Sequence, residues 1–175
     1  MKTHATTSPA HYVGTYAKYN AGSLKGAWLK LEDYADRSDF LEACAKLHDD
    51  ESDPELMFQD REGLPHCWYC ESSAPDDIVW EWMQLGDSER EAFGLYAAHL
   101  GGDVTVDQFR DAYAGVHASE ADFCEEQAEG CSVIPKDFPN WIAIDWRATW
   151  DRSLQYDYFC ESGESGDLHF FNRNS

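Results

Sequence analysis

Two short stretches hold residue types that could do chemistry. His66 precedes Cys67-Trp68-Tyr69-Cys70, a CxxC spacing that serves elsewhere as a redox pair or as half of a zinc site. A redox pair lowers the pKa of its first thiol at a helix N-terminus. Here Glu71-Ser72-Ser73-Ala74-Pro75 follows, which does not read as a helix start. Zinc needs a second Cys/His pair at comparable spacing, and Cys124 and Cys131 have six residues and an expected helix between them. The second stretch, Asp49-Asp50-Glu51-Ser52-Asp53-Pro54-Glu55, has the composition of a calcium loop. An EF-hand requires glycine at its sixth position and glutamate at its twelfth, which here are Pro54 and Asp60. No phosphate-binding glycine loop, nucleophile elbow or His-Glu-x-x-His is present. No catalytic residue, metal or cofactor is expected, and a non-enzyme is the leading class. A cytosolic thiol or metal protein using Cys67 and Cys70 stays open as the alternative.

What marks the chain is its charge. Its 175 residues carry a formal net charge of −21, and the charge is unevenly spread. From Asp49 to Glu129 there are 22 acids against Arg61, Arg90 and Arg110, whereas residues 1–48 are net +1 and residues 130–175 net −3. An ordinary solvated surface mixes signs. Like charges on neighbouring helical turns cost a few tenths of a kcal/mol per pair, so the block tolerates destabilisation for another purpose. Adaptation to salt would have acidified residues 1–48 as well. With 43% apolar and 14% aromatic residues the chain folds, and the scaffold fixes the distances between its charges.

Such a charge disfavours binding to nucleic acid or to an anionic membrane and favours a basic partner. The candidate partner-binding residues are Asp49, Asp50, Glu51, Asp53, Glu55, Asp60, Glu62, Asp76, Asp77, Glu81, Asp87, Glu89, Glu91, Asp107, Asp111, Glu120, Asp122, Glu125, Glu126 and Glu129. Averaged over the block, its 22 acids give about one charge per 5.5 Å of helix. Duplex DNA carries one per ~1.7 Å, so imitating it takes several helices side by side. An acidic module for some other basic protein, such as a nucleoid protein, is a further reading. The N-terminus lacks a signal core and no run reaches the length of a membrane span, which points to the cytoplasm. The six cysteines read as thiols.

The elements that must carry these acids divide into three small units. In residues 10–73, His11–Tyr19 and Leu24–Leu31 predict a hairpin around Asn20-Ala21-Gly22-Ser23. A helix capped by Ser38 runs over Asp39–Leu47, and Leu56–Gln59 is a third strand. Residues 74–117 predict three helices: Asp76–Leu85, then Ala92–Leu100 behind a Ser88/Glu91 capping box, then Phe109–Ala114 behind Thr105/Gln108. Residues 118–175 predict a helix over Glu120–Glu129 capped by Ser119, a strand over Trp141–Ile144 and a helix over Arg147–Leu154. A closing hairpin of Gln155–Cys160 and Leu168–Phe171 follows. The fold class is α+β, an elongated chain of a hairpin/helix/strand unit, a helical unit and an α+β unit.

Two stretches, Tyr12-Val-Gly-Thr-Tyr-Ala-Lys-Tyr-Asn-Ala-Gly-Ser-Leu-Lys-Gly-Ala-Trp28 and Leu47-His-Asp-Asp-Glu-Ser-Asp-Pro-Glu-Leu-Met-Phe-Gln-Asp-Arg-Glu-Gly-Leu-Pro65, resemble the ArdA antirestriction proteins of plasmids and conjugative transposons. Phe109-Arg-Asp-Ala-Tyr-Ala-Gly115 adds a weaker match. The resemblance implies an elongated α+β homodimer that mimics bent DNA and inhibits type I restriction–modification enzymes at their methyltransferase core. It places the family's antirestriction motif, associated with the subunit interface, around Val133–Trp150. Trp141, Ile142, Ile144 and Trp146 are therefore the expected dimer contacts.

Overall fold

The computed structural model describes residues 8–139 and 141–175, so the N-terminal stretch read for a signal lies largely outside the described residues. The chain is α+β and forms two compact units, the first ending at Arg90 and the second running from Glu91 to Ser175.

The first unit opens with β1 (Ala10–Thr15), α1 (Tyr16–Asn20) and β2 (Ala27–Lys30). The hairpin pairing forms as expected, with Tyr12 opposite Trp28 and Val13 opposite Ala27. Its first arm stops at Thr15, however, because the Thr15 hydroxyl accepts from Lys18 N at 3.2 Å and caps a helical turn where strand was expected. Gly26 is required here: a Cβ on it would lie 2.3 Å from the Val13 carbonyl oxygen.

Next comes α2 (Arg37–Leu47), which starts two residues earlier than the sequence suggests. Asp36 is its cap in place of Ser38, accepting from Asp39 N at 2.9 Å. β3 (Leu56–Glu62) then pairs antiparallel with β1, giving the order β2-β1-β3. Phe40 from α2 packs between Phe58 of β3 and Trp80 of α3 (Ile78–Met83), and the Trp80 indole N–H donates to Tyr34 O at 3.1 Å.

α4 (Asp87–Leu100) begins at Asp87, so Ser88 lies inside the helix and not at its cap. α5 (Val106–Ala112) has the expected Thr105/Gln108 capping box but stops at Ala112. The chain then runs directly into β4 (Tyr113–His117), a strand that propensity did not reveal. α6 (Glu120–Gly130) is capped by Ser119, as read from the sequence. The strand expected at Trp141–Ile144 does not form. Pro135 and Pro139 lack the N–H that a ladder needs, and Phe138 N and Ile142 N instead donate to their carbonyls at 2.9 and 3.1 Å to close turns. α7 (Trp146–Arg152) and the hairpin of β5 (Tyr158–Ser162) and β6 (Leu168–Asn172) complete the chain.

β6 is central in the second sheet, β4-β6-β5, and its period-2 alternation organises the second unit. Phe170 faces α6 and α7, stacking on Phe123 at 4.1 Å and meeting Trp150 edge-on at 5.5 Å. Phe171 faces the other way, 5.4 Å from Tyr96 of α4 and 5.0 Å from Phe159. The sheet is thus covered on both faces, and the polar sides of its helices turn outward.

Candidate functional site

Sixteen of the twenty candidate carboxylates are exposed, while Glu51, Glu89, Glu91 and Glu120 are half-buried, so burial alone separates a minority from the surface. Ion pairing separates more of them. Lys18 Nζ lies 2.7 Å from Asp50 Oδ1 and 2.9 Å from Glu51 Oε1, and Lys25 reaches Asp50 Oδ2 at 3.1 Å. Hydrogen bonds from these two ammonium groups push the Asp50 pKa down to about 2; Lys18 and the Thr15 hydroxyl lower that of Glu51.

Glu91 was nominated for the surface, but its Oε1 accepts from Glu164 N at 2.6 Å and fastens the β5–β6 loop to α4. Its Oε2 lies 3.9 Å from Nε2 of the buried His169, whose Nδ1 is 3.1 Å from the Tyr113 hydroxyl. Glu120 pairs with Arg147 at 3.0 Å, Asp87 with Arg90 at 3.2 Å, and Glu126 lies 3.6 Å from His117. Glu91, Glu120 and Asp87 are tied to the scaffold, while Glu126 stays on the surface beside His117.

The other exposed candidate carboxylates are spread over both units. On α6 the pattern is regular: Phe123 and Cys124 are buried, while Asp122, Glu125, Glu126 and Glu129 are exposed at i,i+3 and i,i+4 spacing. At ~1.5 Å rise per residue, four carboxylates span about 10 Å of axis. Asp76, Asp77 and Glu81 stand exposed around α3, where Val79, Trp80 and Trp82 take the buried positions. Arg61 and Arg90, two of the three bases in the acidic block, turn to the first unit's own backbone: Arg61 Nη1 donates to Leu64 O, and Arg90 Nη2 to Leu85 O.

The cysteine motif lacks the arrangement of a redox pair. Cys67 lies in a 3-10 turn, His66–Trp68, and burial raises its thiol pKa. The exposed Cys70 is lowered to about 7, chiefly by the Ser72 hydroxyl 3.4 Å away. The lowered thiol is therefore the second, with no helix beginning at the first. Tyr69 between them is a packing residue: its hydroxyl donates to Phe58 O at 2.8 Å and its ring stacks on His11.

Among the described residues, one cluster has donors close enough for a metal, His48, Asp50 and Glu51, whose ligand atoms all lie within 4.8 Å of one another. Lys18 Nζ sits among them, 2.8 Å from His48 Nδ1. The three ligand atoms come from one short stretch, His48–Glu51, whereas their convergence on Lys18, 30 positions from His48, has no local pattern in the sequence to reveal it.

Of the expected dimer contacts, Trp141 is 80% exposed and Ile142 41%, with Val133 and Phe138 also exposed nearby. Ile144 is half-buried, and Trp146 packs on the Phe123/Trp150/Phe170 cluster of its own chain. Among the described residues no helix is long and apolar enough to cross a membrane.

No curated protein and no solved structure gives a significant match to the chain. A family model described as antirestriction protein (ArdA) matches residues 11–164. That match runs over most of the sequence, from β1 of the first sheet through β5 of the second: the chain belongs to the ArdA family of antirestriction proteins.

Proposed function

We propose that this protein inhibits type I restriction–modification enzymes by presenting a phosphate-like array of carboxylates to their DNA-binding groove, most directly on the methyltransferase core. Membership of a non-catalytic antirestriction family supports an inhibitor of restriction–modification enzymes. The single observation that carries the finer reading is the α6 stripe. Its four outward carboxylates follow one another at rises of about 4.5, 1.5 and 4.5 Å, a mean of about 3.5 Å along the axis, and one DNA strand carries a phosphate every ~3.4 Å. The average over the acidic block understates this local density. The pairing of scaffold acids with lysine, arginine and histidine supports the reading too, because exposed acids such as Asp76, Asp77, Glu81, Glu125 and Glu129 lie outside those pairs.

The proposal includes the three-part division 10–73, 74–117 and 118–175, a cytoplasmic site of action, and a homodimer. For the homodimer, the exposed Trp141, Ile142, Val133 and Phe138 supply apolar surface that a lone chain leaves wet.

Competition tests the proposal. Duplex DNA and this protein are expected to exclude each other from a purified type I enzyme. Affinity should fall steeply between about 50 and about 200 mM salt, as displaced counterions require. A stable ternary complex with specifically bound DNA would sink the idea. The double variant Cys67→Ser, Cys70→Ser is expected to inhibit at full strength, and loss of inhibition in a folded double variant would revive the thiol reading.

A further inference from the structure

We infer that Lys18 is the positioning residue for the first turn of the acidic face: its ammonium is the central cation of a cage built by His48, Asp50 and Glu51, which draws two carboxylates inward and leaves Asp49, Asp53 and Glu55 as the acids that this turn offers a partner. The partner half of this inference rests on the mimic reading. The cage stands on geometry alone.

Three acceptors from one short segment converge on Lys18 Nζ: His48 Nδ1 at 2.8 Å, Asp50 Oδ1 at 2.7 Å and Glu51 Oε1 at 2.9 Å. The imidazole is set for this task. Nε2–H faces the Val13 carbonyl at 3.3 Å, so the Nδ1 lone pair is free to accept from the ammonium. Glu51 is held from its other side by the Thr15 hydroxyl at 2.7 Å, the same hydroxyl that caps α1. His48 is fully buried and the Lys18 side chain is 13% exposed, whereas Lys25, which pairs with Asp50, is 66% exposed. Tyr16 N donates to Glu55 O at 3.0 Å at the far end of the segment. The turn between α2 and β3 is thereby fastened to β1 and α1 at both ends, and the carboxylates left over acquire fixed positions.

This arrangement separates positioned mimicry from mere accumulation of charge. Lys18→Gln makes the protein more negative by one charge. If acid count alone governed binding, that variant would inhibit as well as the wild type or better. If the cage positions the face, the concentration for half-inhibition should rise about tenfold. Lys25→Gln, which removes the same charge without emptying the cage, should change it by less than about twofold.

The vacated cage has one imidazole nitrogen and two carboxylate oxygens, a donor set suited to a divalent transition metal. Added Co2+ should bind Lys18→Gln, raise its Tm and restore most of the lost inhibition, and a second change, His48→Ala, should abolish the rescue. Failure of Co2+ to bind the variant, or undiminished inhibition without it, overturns the inference. Should Lys18→Gln fail to fold, the wild-type protein still decides: one lysine ammonium should show slow proton exchange in a nitrogen-15 spectrum near neutral pH, and fast exchange at every lysine overturns the cage. Lack of competition between wild-type protein and DNA would remove the mimic reading while leaving the cobalt, Tm and exchange measurements to judge the cage.

Discussion

Replacing Asp76, Asp77, Glu81, Asp111, Glu125 and Glu129 together by their amides is expected to raise the concentration for half-inhibition of a type I enzyme roughly a hundredfold, while each change alone costs about twofold. All six are exposed, and among the described residues none is committed to an ion pair of the scaffold. In the bound state each carboxylate would stand where a phosphate meets a lysine or arginine. Exposed pairs of this kind contribute little singly because water screens them and two long side chains must be ordered. Six such losses multiply.

Folding runs the opposite way. Asp77 and Glu81, like Glu125 and Glu129, are i,i+4 neighbours of like charge, and neutralising them relieves a few tenths of a kcal/mol per pair. The sixfold variant should therefore keep or raise its Tm while losing inhibition. Inhibition at wild-type strength by that variant, or abolition by any one of the six changes in a folded protein, would rule out a distributed electrostatic face.

Which acids belong to that face was only half legible in the sequence, for a physical reason. Charge bias is a property of composition and can be counted along the chain, so the acidic block stood out. Whether one acid is spent internally depends on partners far away in sequence: Asp50 and Glu51 on Lys18, Glu120 on Arg147, Glu91 on the backbone of Glu164. The same contrast runs through the fold. Thr105/Gln108 and Ser119 announced their helices because a cap is local chemistry, and the β5–β6 hairpin followed from alternation around a glycine-containing loop. β4 was hidden because Tyr113–His117 is too short to show a period, and it becomes a strand only through its partner β6. Trp141–Ile144 looked like strand from β-branched and aromatic content. The two prolines before it and the absence of a partner strand left it in turns.

The protein is also expected to lose about 3 kcal/mol of stability between pH 7 and pH 4 through His11 alone. His11 lies on β1 with no exposed surface, 5.5 Å from Phe58 and 6.4 Å from Phe40, with Tyr69 stacked at 6.0 Å. Neither ring nitrogen makes a hydrogen bond of good geometry among the described residues, the Asp60 backbone offering only a weak one. Burial in this aromatic box, partly offset by the Asp60 backbone and reinforced by the positive charge of Arg61, lowers its pKa from 6.5 to about 4.

Above pH 6.5 both folded and unfolded chains hold a neutral ring, and the group is indifferent to folding. As pH falls from 6.5 to about 4 the unfolded chain takes up a proton that the folded one refuses, so the folded state loses ground through this window. Below about 4 both are charged and the loss stops growing. His48, lowered by burial and by Lys18, acts in the same direction. Asp50 and Glu51 have depressed carboxyl pKa values, so what they contribute is lost only at more acidic pH. Denaturant unfolding at pH 7.5 and pH 4.5 measures the effect, and His11→Phe, which keeps an aromatic ring but cannot take a proton, should remove most of the difference. An equal loss of stability in wild type and His11→Phe over that interval would show that the ring of His11 does not govern acid lability.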